Sequence, residues 1–305
     1  MRGVVELPAI AIFTIVAGSL IIAFFVMVSQ QQSDIGKTNI ERASLERFDA
    51  LLKSAATARE TQNNITVIDE TLLYVCDDVS MRIEYESHTQ KDFHNMVMFA
   101  PHKLEGGHLR VYSKGVDSPY RVTNILYVAT DTYTVNSTVP LYEFPSNIEH
   151  APAASAKRIV RDTGNPTRNT IVVTESPGEQ LGTVHYFSPT DPAGAGIVYP
   201  NRELYYGAIL AEDAQTYTCG LNAYLRQLRF VNKIEWLRAQ QLYIDTDDEQ
   251  CKLSYQFGPF ETIEAITSDT SGFTLQDARD LVQAQREIAF LNDKLLRGDG
   301  CAILY

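Results

Sequence analysis

From Leu7 to Val28 the chain carries no charged residue, and Ile, Leu, Val, Phe and Ala fill most positions. At about 1.5 Å of rise per residue such a run makes a helix roughly 30 Å long, the hydrocarbon thickness of a bilayer. It runs on into Ser29-Gln30-Gln31-Gln32-Ser33 without the shorter core and small-residue site of a cleaved secretory signal. Residues 1–33 therefore read as a retained membrane anchor with its span at about 7–28. Thr14, Gly18 and Ser19 interrupt the run with small residues, which lets a second helix approach, although ordinary transmembrane composition accounts for them as well.

Beyond the span the pattern becomes amphipathic. Gly36 marks a break from the membrane helix, Thr38-Asn39-Ile40-Glu41 has the form of a capping box, and Ile40, Ser44, Phe48, Leu51 or Leu52, and Ala55 recur at helical spacing. Residues 34–61 are thus expected to form a stalk helix. Over residues 62–200 the signal changes to alternating, β-branched and aromatic runs. These are Ile65 to Val75, Met81 to Tyr85, Met96 to Phe99, Leu109 to Tyr112, Ile125 to Thr130, Thr170 to Val173 and Thr183 to Phe187. Between them, Ser146 to Asn169 mixes Pro, Ala, Ser, Gly and Asn around one apolar pair, Ile159-Val160, and reads as a long loop.

Around Pro200 the period becomes helical, and residues 201–305 read as a helical subdomain. One helix is expected from about Glu203 to Tyr243, with Leu221, Tyr224, Leu228, Val231 and Ile234 or Glu235 on its buried face. Thr274-Leu275-Gln276-Asp277 opens a second, with Leu281 or Val282, Ile288, Leu291 and Leu295 buried and Gly298 as its stop; Phe260 to Ile266 forms a short helix between them. No internal repeat is apparent. The expected fold class is α+β: an N-terminal transmembrane helix and amphipathic stalk, a sheet-rich extracytoplasmic domain, and a C-terminal helical hairpin bundle packed on the sheet.

Charge and cysteine content add placement. The net charge of −12, with no cluster of Lys and Arg, argues against a nucleic-acid partner. The expected partners are the lipid bilayer and proteins met through the membrane helix or the outer domain. Arg2 precedes the span while Lys37, Arg42 and Arg47 follow it, and positive charge alone would leave the large domain in the cytoplasm. Long domains, however, translocate largely regardless of flanking charge. Four cysteines without a C-x-x-C pair, Cys76, Cys219, Cys251 and Cys301, and two glycosylation sequons at Asn64 and Asn136 favour the opposite orientation. The expectation is a cytoplasmic N-terminus and an extracytoplasmic domain.

Candidate chemistry is sparse. His88, His94, His102 and His108 fall close together, but at spacings that match no H-E-x-x-H-like zinc motif. Asp77-Asp78-Val79-Ser80 follows an apolar strand in the manner of the metal-adhesion site of von Willebrand A-like domains, yet Arg82 stands where the second serine should hold the ion. Asp245-Thr246-Asp247-Asp248-Glu249 lacks the glycine and distant glutamate of a calcium loop and reads as a solvated connection. Asp191-Pro192-Ala193-Gly194-Ala195-Gly196 lacks the Lys-Ser or Lys-Thr of a phosphate cradle. Adjacent carboxylates such as Asp77 and Asp78 point to opposite faces of a strand. No catalytic residue, cofactor or metal set is assigned.

Several segments taken together resemble a group of single-pass membrane proteins of small-genomed, DPANN-type archaea. They are the Arg2-Gly3 start, the span, Tyr74-Val75-Cys76, Tyr206-Gly207-Ala208-Ile209, Tyr217-Thr218-Cys219, Leu291-Asn292-Asp293-Lys294-Leu295-Leu296 and Cys301-Ala302-Ile303-Leu304-Tyr305. The resemblance covers most of the chain loosely, least from His88 to Asp117, and implies topology and cysteine pairing rather than an activity. The start is also similar to archaeal type IV pilins, whose peptidase cuts after a small residue before the apolar helix: Gly3 and Val4 would flank the cut. Glu6 would then be the acid near the new terminus, at the third position where the bacterial pattern has the fifth, with Pro8 close behind.

The functional expectation is a non-catalytic surface or envelope component that binds a partner or builds an assembly. A pilin-like filament subunit and an extracytoplasmic hydrolase using residues such as His88, His94 and Asp78 are the alternatives. If the two long helices run in the same direction with the short one returning between them, Cys251 and Cys301 lie at one end of the bundle. The expected pairs are then Cys251 with Cys301 and Cys76 with Cys219.

Overall fold

The computed structural model describes residues 6–58, 60–66, 71–77, 80–85, 89–104, 108–129, 133–136, 158–161, 170–175, 181–187, 195–270, 272–297 and 301–305. The chain is a mixed α+β protein. It opens with α1, Glu6–Thr57, a single helix of 52 residues. The expected break at Gly36 is absent: nothing crowds the glycine, and Thr38 sends its hydroxyl back to Asp34 O at 2.9 Å instead of capping a new helix. Glu41, the expected partner of that cap, is buried and accepts a hydrogen bond from Thr89 Oγ1 at 2.7 Å. A lone glycine costs a helix only about 1 kcal/mol, too little by itself to end one of 52 residues.

The last four turns of α1 are part of the core. Leu45, Phe48, Leu52 and Ala55 are buried at three- and four-residue spacing, whereas Ile40, expected on this face, is 56% exposed. Asp49 pins the helix through Lys53 at 2.8 Å and Lys91 at 3.5 Å.

The strands are β1 Glu60–Thr66, β2 Leu72–Cys76, β3 Met81–Tyr85, β4 Gln90–Phe93, β5 Val97–Phe99, β6 Lys103–Leu104, β7 His108–Asp117 and β8 Arg121–Ala129. They are followed by β9 Tyr133–Asn136, β10 Arg158–Arg161, β11 Thr170–Glu175, β12 Gly182–Phe187 and β13 Ala195–Tyr199. The single run expected from Ile65 to Val75 is divided between β1 and β2, with Val67 to Glu70 outside the described residues. Inside the stretch expected to be a loop from Ser146 to Asn169, β10 runs parallel between β9 and β11; the remainder lies outside the described residues.

Three sheets result, ordered β1-β7-β8-β5, β13-β12-β11-β10-β9 and β4-β3-β2-β6. β8 forms the centre of the first and is buried continuously from Asn124 to Ala129 because helices cover both its faces. Asn124 donates to Ala56 O on α1, while Tyr127, an odd number of residues on and so facing the other way, donates to Glu203 O at 2.8 Å on the helical side.

The helical region comprises α2 Arg202–Leu210, α3 Ala214–Asp245, α4 Glu249–Lys252, α5 Gly258–Ser268 and α6 Leu275–Arg297. The one helix expected from Glu203 to Tyr243 is two. Glu212 is left-handed at φ 67°, and Asp213 caps a new start by accepting from Thr216 N at 2.8 Å. On α6 the expected buried residues Leu281, Ile288, Leu291 and Leu295 are all in the core. Its start is reciprocal, Thr274 N donating to Asp277 Oδ2 and Asp277 N to Thr274 Oγ1. On α3, Ile234 is 48% exposed and Asn232 takes its place inside.

Candidate functional site

The projecting half of α1 is the least protein-like surface of the described chain. Leu20, Ile21, Ile22, Phe24, Phe25, Val26 and Met27 are all at least 50% exposed, and at 100° per residue they point in every direction around the helix axis. Isolated exposed apolar side chains are ordinary, but a continuous sleeve of them marks a surface meant to be covered. The polar stretch from Ser29 to Asp34 follows, and burial begins at Glu41. Among the described residues no helix is long and apolar enough to cross a membrane. The first half of the apolar run, Leu7 to Ala17, belongs to α1, with side chains outside the described residues. Gly3 and Val4 lie outside the described residues as well, and Glu6 is the first residue of the helix.

Two cystines tie together elements that follow α1. Cys76 at the end of β2 joins Cys219 in the second turn of α3, with Cα atoms 5.9 Å apart. Cys251 on α4 joins Cys301 in the C-terminal tail at 5.6 Å. These are the pairs expected from the helix order, and such bridges fit an oxidising compartment. Asn64 lies within β1 opposite Arg110, and Asn136 ends β9 opposite Arg161.

The buried polar groups serve packing. Tyr120 OH donates to Asn232 Oδ1 at 2.8 Å, Asn232 Nδ2 to Phe260 O at 3.0 Å, Leu304 N to Asn292 Oδ1 at 2.8 Å, and Tyr255 OH to Ala302 O at 2.7 Å. Burial raises the phenols of Tyr74, Tyr120, Tyr127, Tyr217 and Tyr224 far above 10, so they stay neutral.

Glu235 on α3 is placed differently from these groups. Its side chain is 15% exposed, Oε2 has no hydrogen-bond partner, and Arg238 stands 3.9 Å off. Burial raises its carboxyl above the ordinary glutamate value of 4.5, Arg238 opposing this only in part. The folded state therefore holds the proton more tightly than the unfolded one, and stability falls as pH rises from 4.5 through the raised value. Glu235→Gln is expected to raise the melting temperature at pH 7 by roughly 1–3 °C and to flatten the pH dependence just above 4.5. Melting curves between pH 4 and 8 check this, and a variant that melts like the parent at every pH refutes it.

The sequence motifs resolve into local structure. Asp77 Oδ1 accepts from Ser80 N at 2.7 Å and from Ser80 Oγ at 3.1 Å, closing the β2 to β3 turn, while Arg82 pairs with Glu84. Asp78 and His88 lie outside the described residues, as does the side chain of His108. His94 is exposed and lines a groove of about 150 Å³ with Ser80, Asn95 and Arg226. His102 Nδ1 hydrogen-bonds Tyr74 O at 2.9 Å. Asp245 accepts from Gln241, and Asp248 caps α4. A cleft of about 500 Å³ beside Cys301 is lined by Asp248, Ser254, Phe290, Asp293 and Lys294, with Asp293 paired to Arg297 at 2.8 Å. Of Asp191 to Gly196, only the last two residues are described, as the start of β13. Among the described residues no three His, Cys, Asp or Glu side chains are placed to hold a metal ion.

Two features are not legible from the periodicity: the buried ring cluster around Phe99 and an exposed apolar stripe on α3. Comparison with protein families, with characterised proteins and with solved structures finds no match. The resemblance to the archaeal membrane-protein group therefore rests on the sequence features alone.

Proposed function

We propose that this is a membrane-anchored extracytoplasmic protein with a non-catalytic role in building or docking to a surface assembly. The observation that supports the reading is the division of α1. One helix carries its C-terminal turns in the domain core and, without a break, presents an apolar sleeve from Leu20 to Met27 on every side. Water cannot be the intended medium for that sleeve, and the uncharged run that precedes it extends the apolar length to that of a bilayer span. The two cystines favour an outer location for the domain.

Alkaline carbonate extraction of membranes tests the anchor. The full chain is expected in the pellet, and a chain lacking residues 1–33 in the supernatant. Recovery of the full chain in the supernatant would remove the anchor from the reading. For sidedness, a cysteine placed between Ser146 and Asn169 should react with an impermeant probe on intact cells; reaction only after lysis would reverse the orientation.

A pilin-like filament subunit is the second reading. It is favoured by the same continuity of α1, because a rigid apolar helix capped by a sheet-packed half suits a bundle of such helices as well as a bilayer. It requires processing after Gly3, so that the mature chain begins at Val4, and recovery of the chain in sheared filaments.

A further inference from the structure

The C-terminal half of α3 carries two opposite stripes. On the inner side Leu225, Asn232 and Ala239 are buried at seven-residue intervals. On the outer side Phe230, Ile234, Leu237 and Ile244 are 65%, 48%, 53% and 71% exposed. The steps along the outer stripe are four, three and seven, with Gln241 standing in the intervening place. Those are the a and d steps of a heptad, the 3.5-residue period by which a helix keeps one seam against another helix. A helix half buried in its own domain has no need of such a period on the face it turns away.

The bilayer is in the wrong place to cover this stripe. Asn232, on the inner side two residues past Phe230, is held by Tyr120 in the turn between β7 and β8, and Asn124, just beyond that turn, bonds Ala56 at the C-terminal end of α1. Val28, the end of the apolar run, lies roughly 40 Å back along the same helix. On the anchor reading the stripe is therefore at the membrane-distal end of the molecule.

The exposed area suits a second copy. Taking roughly 180 Å² for a free side chain of this size, the four outer residues leave on the order of 400 Å² on each copy. The stems of Lys233 and Arg238 beside them bring the total for a pair to the ~1,000 Å² that a specific contact requires.

We infer that α3 is a self-association seam, in which Phe230, Ile234, Leu237 and Ile244 of one copy pack against the same stripe of a second copy and Gln241 fixes the register. The seam goes beyond the proposed anchor and needs it only to exclude the bilayer. Two copies held in one membrane would meet at high effective concentration.

The full chain in detergent is expected to have the mass of a dimer by light scattering. Leu237→Glu should weaken self-association at least tenfold while keeping both cystines and the circular dichroism spectrum. Because the apolar part of α1 offers a separate route to dimers, a second measurement isolates the seam. Phe230→Cys, Ile234→Cys, Leu237→Cys and Ile244→Cys are oxidised in native membranes, and at least one should give a cross-linked homodimer while Arg286→Cys on α6 stays monomeric. Stripe cysteines that cross-link no better than Arg286→Cys overturn the seam without touching the anchor, and a dimer that survives Leu237→Glu in a chain lacking residues 1–33 overturns it as well. A monomeric chain whose Phe230→Trp emission shifts to the blue on adding anionic vesicles would assign the stripe to lipid and overturn it as well.

Discussion

Replacing Cys76 and Cys219 together by serine is expected to lower the stability of the folded domain by on the order of 4–5 kcal/mol. The bridge closes a loop of 143 residues, so on the chain-entropy model its removal releases a large part of the unfolded ensemble. It also ties two layers together, because β2 belongs to the β4-β3-β2-β6 sheet and α3 to the helical region. Removing Cys251–Cys301, which spans 50 residues, should cost about 1 kcal/mol less on the same model. Equilibrium urea unfolding of the two double-serine variants under oxidising conditions checks both values. If the first variant shifted the midpoint by less than the second, loop closure would not be what the long bridge contributes.

That pairing was readable because it depends only on the order and direction of long elements, which hydrophobic period reports well. β3 alternates buried and half-buried positions throughout, and α6 buries the expected residues, because each has one face in the core and one in water. Legibility fails where a stretch of strand carries too few apolar residues or where a local contact overrides the period. The expected run of β8 begins at Ile125, whereas the strand starts at Arg121: its first four residues, Arg121-Val122-Thr123-Asn124, carry a single apolar side chain, too little to announce a strand ahead of the buried run. β10 has only Ile159-Val160 between two arginines, too short a run to announce a strand that gains its hydrogen bonds from β9 and β11.

Boundaries between helices failed for the opposite reason, an excess of plausible local signals. Gly36 and the Thr38 to Glu41 box looked like a stop and a start, but a capping pattern is used only where the preceding backbone leaves the helix. The true break, between α2 and α3, was signalled by Asp213-Ala214-Gln215-Thr216, an N-cap aspartate three residues before a threonine. On α3 the amphipathic assumption misplaced Ile234, because the helix has two apolar faces after Arg229 and only one of them is the core. The exposed stripe is invisible to a reading that assigns every apolar residue to the interior.

The ring of Phe99 sets the second large effect. It is fully buried, stacked on Tyr217 at 5.5 Å and beside Tyr127 at 6.4 Å between centroids. Two glycines from different helices let α2 and α3 close over it. A Cβ on Gly220 would stand 2.4 Å from Phe99 Cε1, and one on Gly207 2.6 Å from Cδ2. Helix propensity alone favours alanine over glycine by about 1 kcal/mol. Here the clash outweighs it, since the ring has aromatic neighbours on its flanks, and Gly220→Ala is expected to destabilise by about 1–3 kcal/mol net. Phe99→Ala, which empties the slot, should cost about 3–5 kcal/mol. The two sites are in contact and should couple: in a Phe99→Leu background the added methyl finds space, and the effect of Gly220→Ala should shrink by at least half. Denaturant unfolding of the four chains in that cycle decides the matter. Strict additivity would mean that α3 moves away from the sheet to admit the methyl, so the glycines would not be what fixes the spacing of helix and strand.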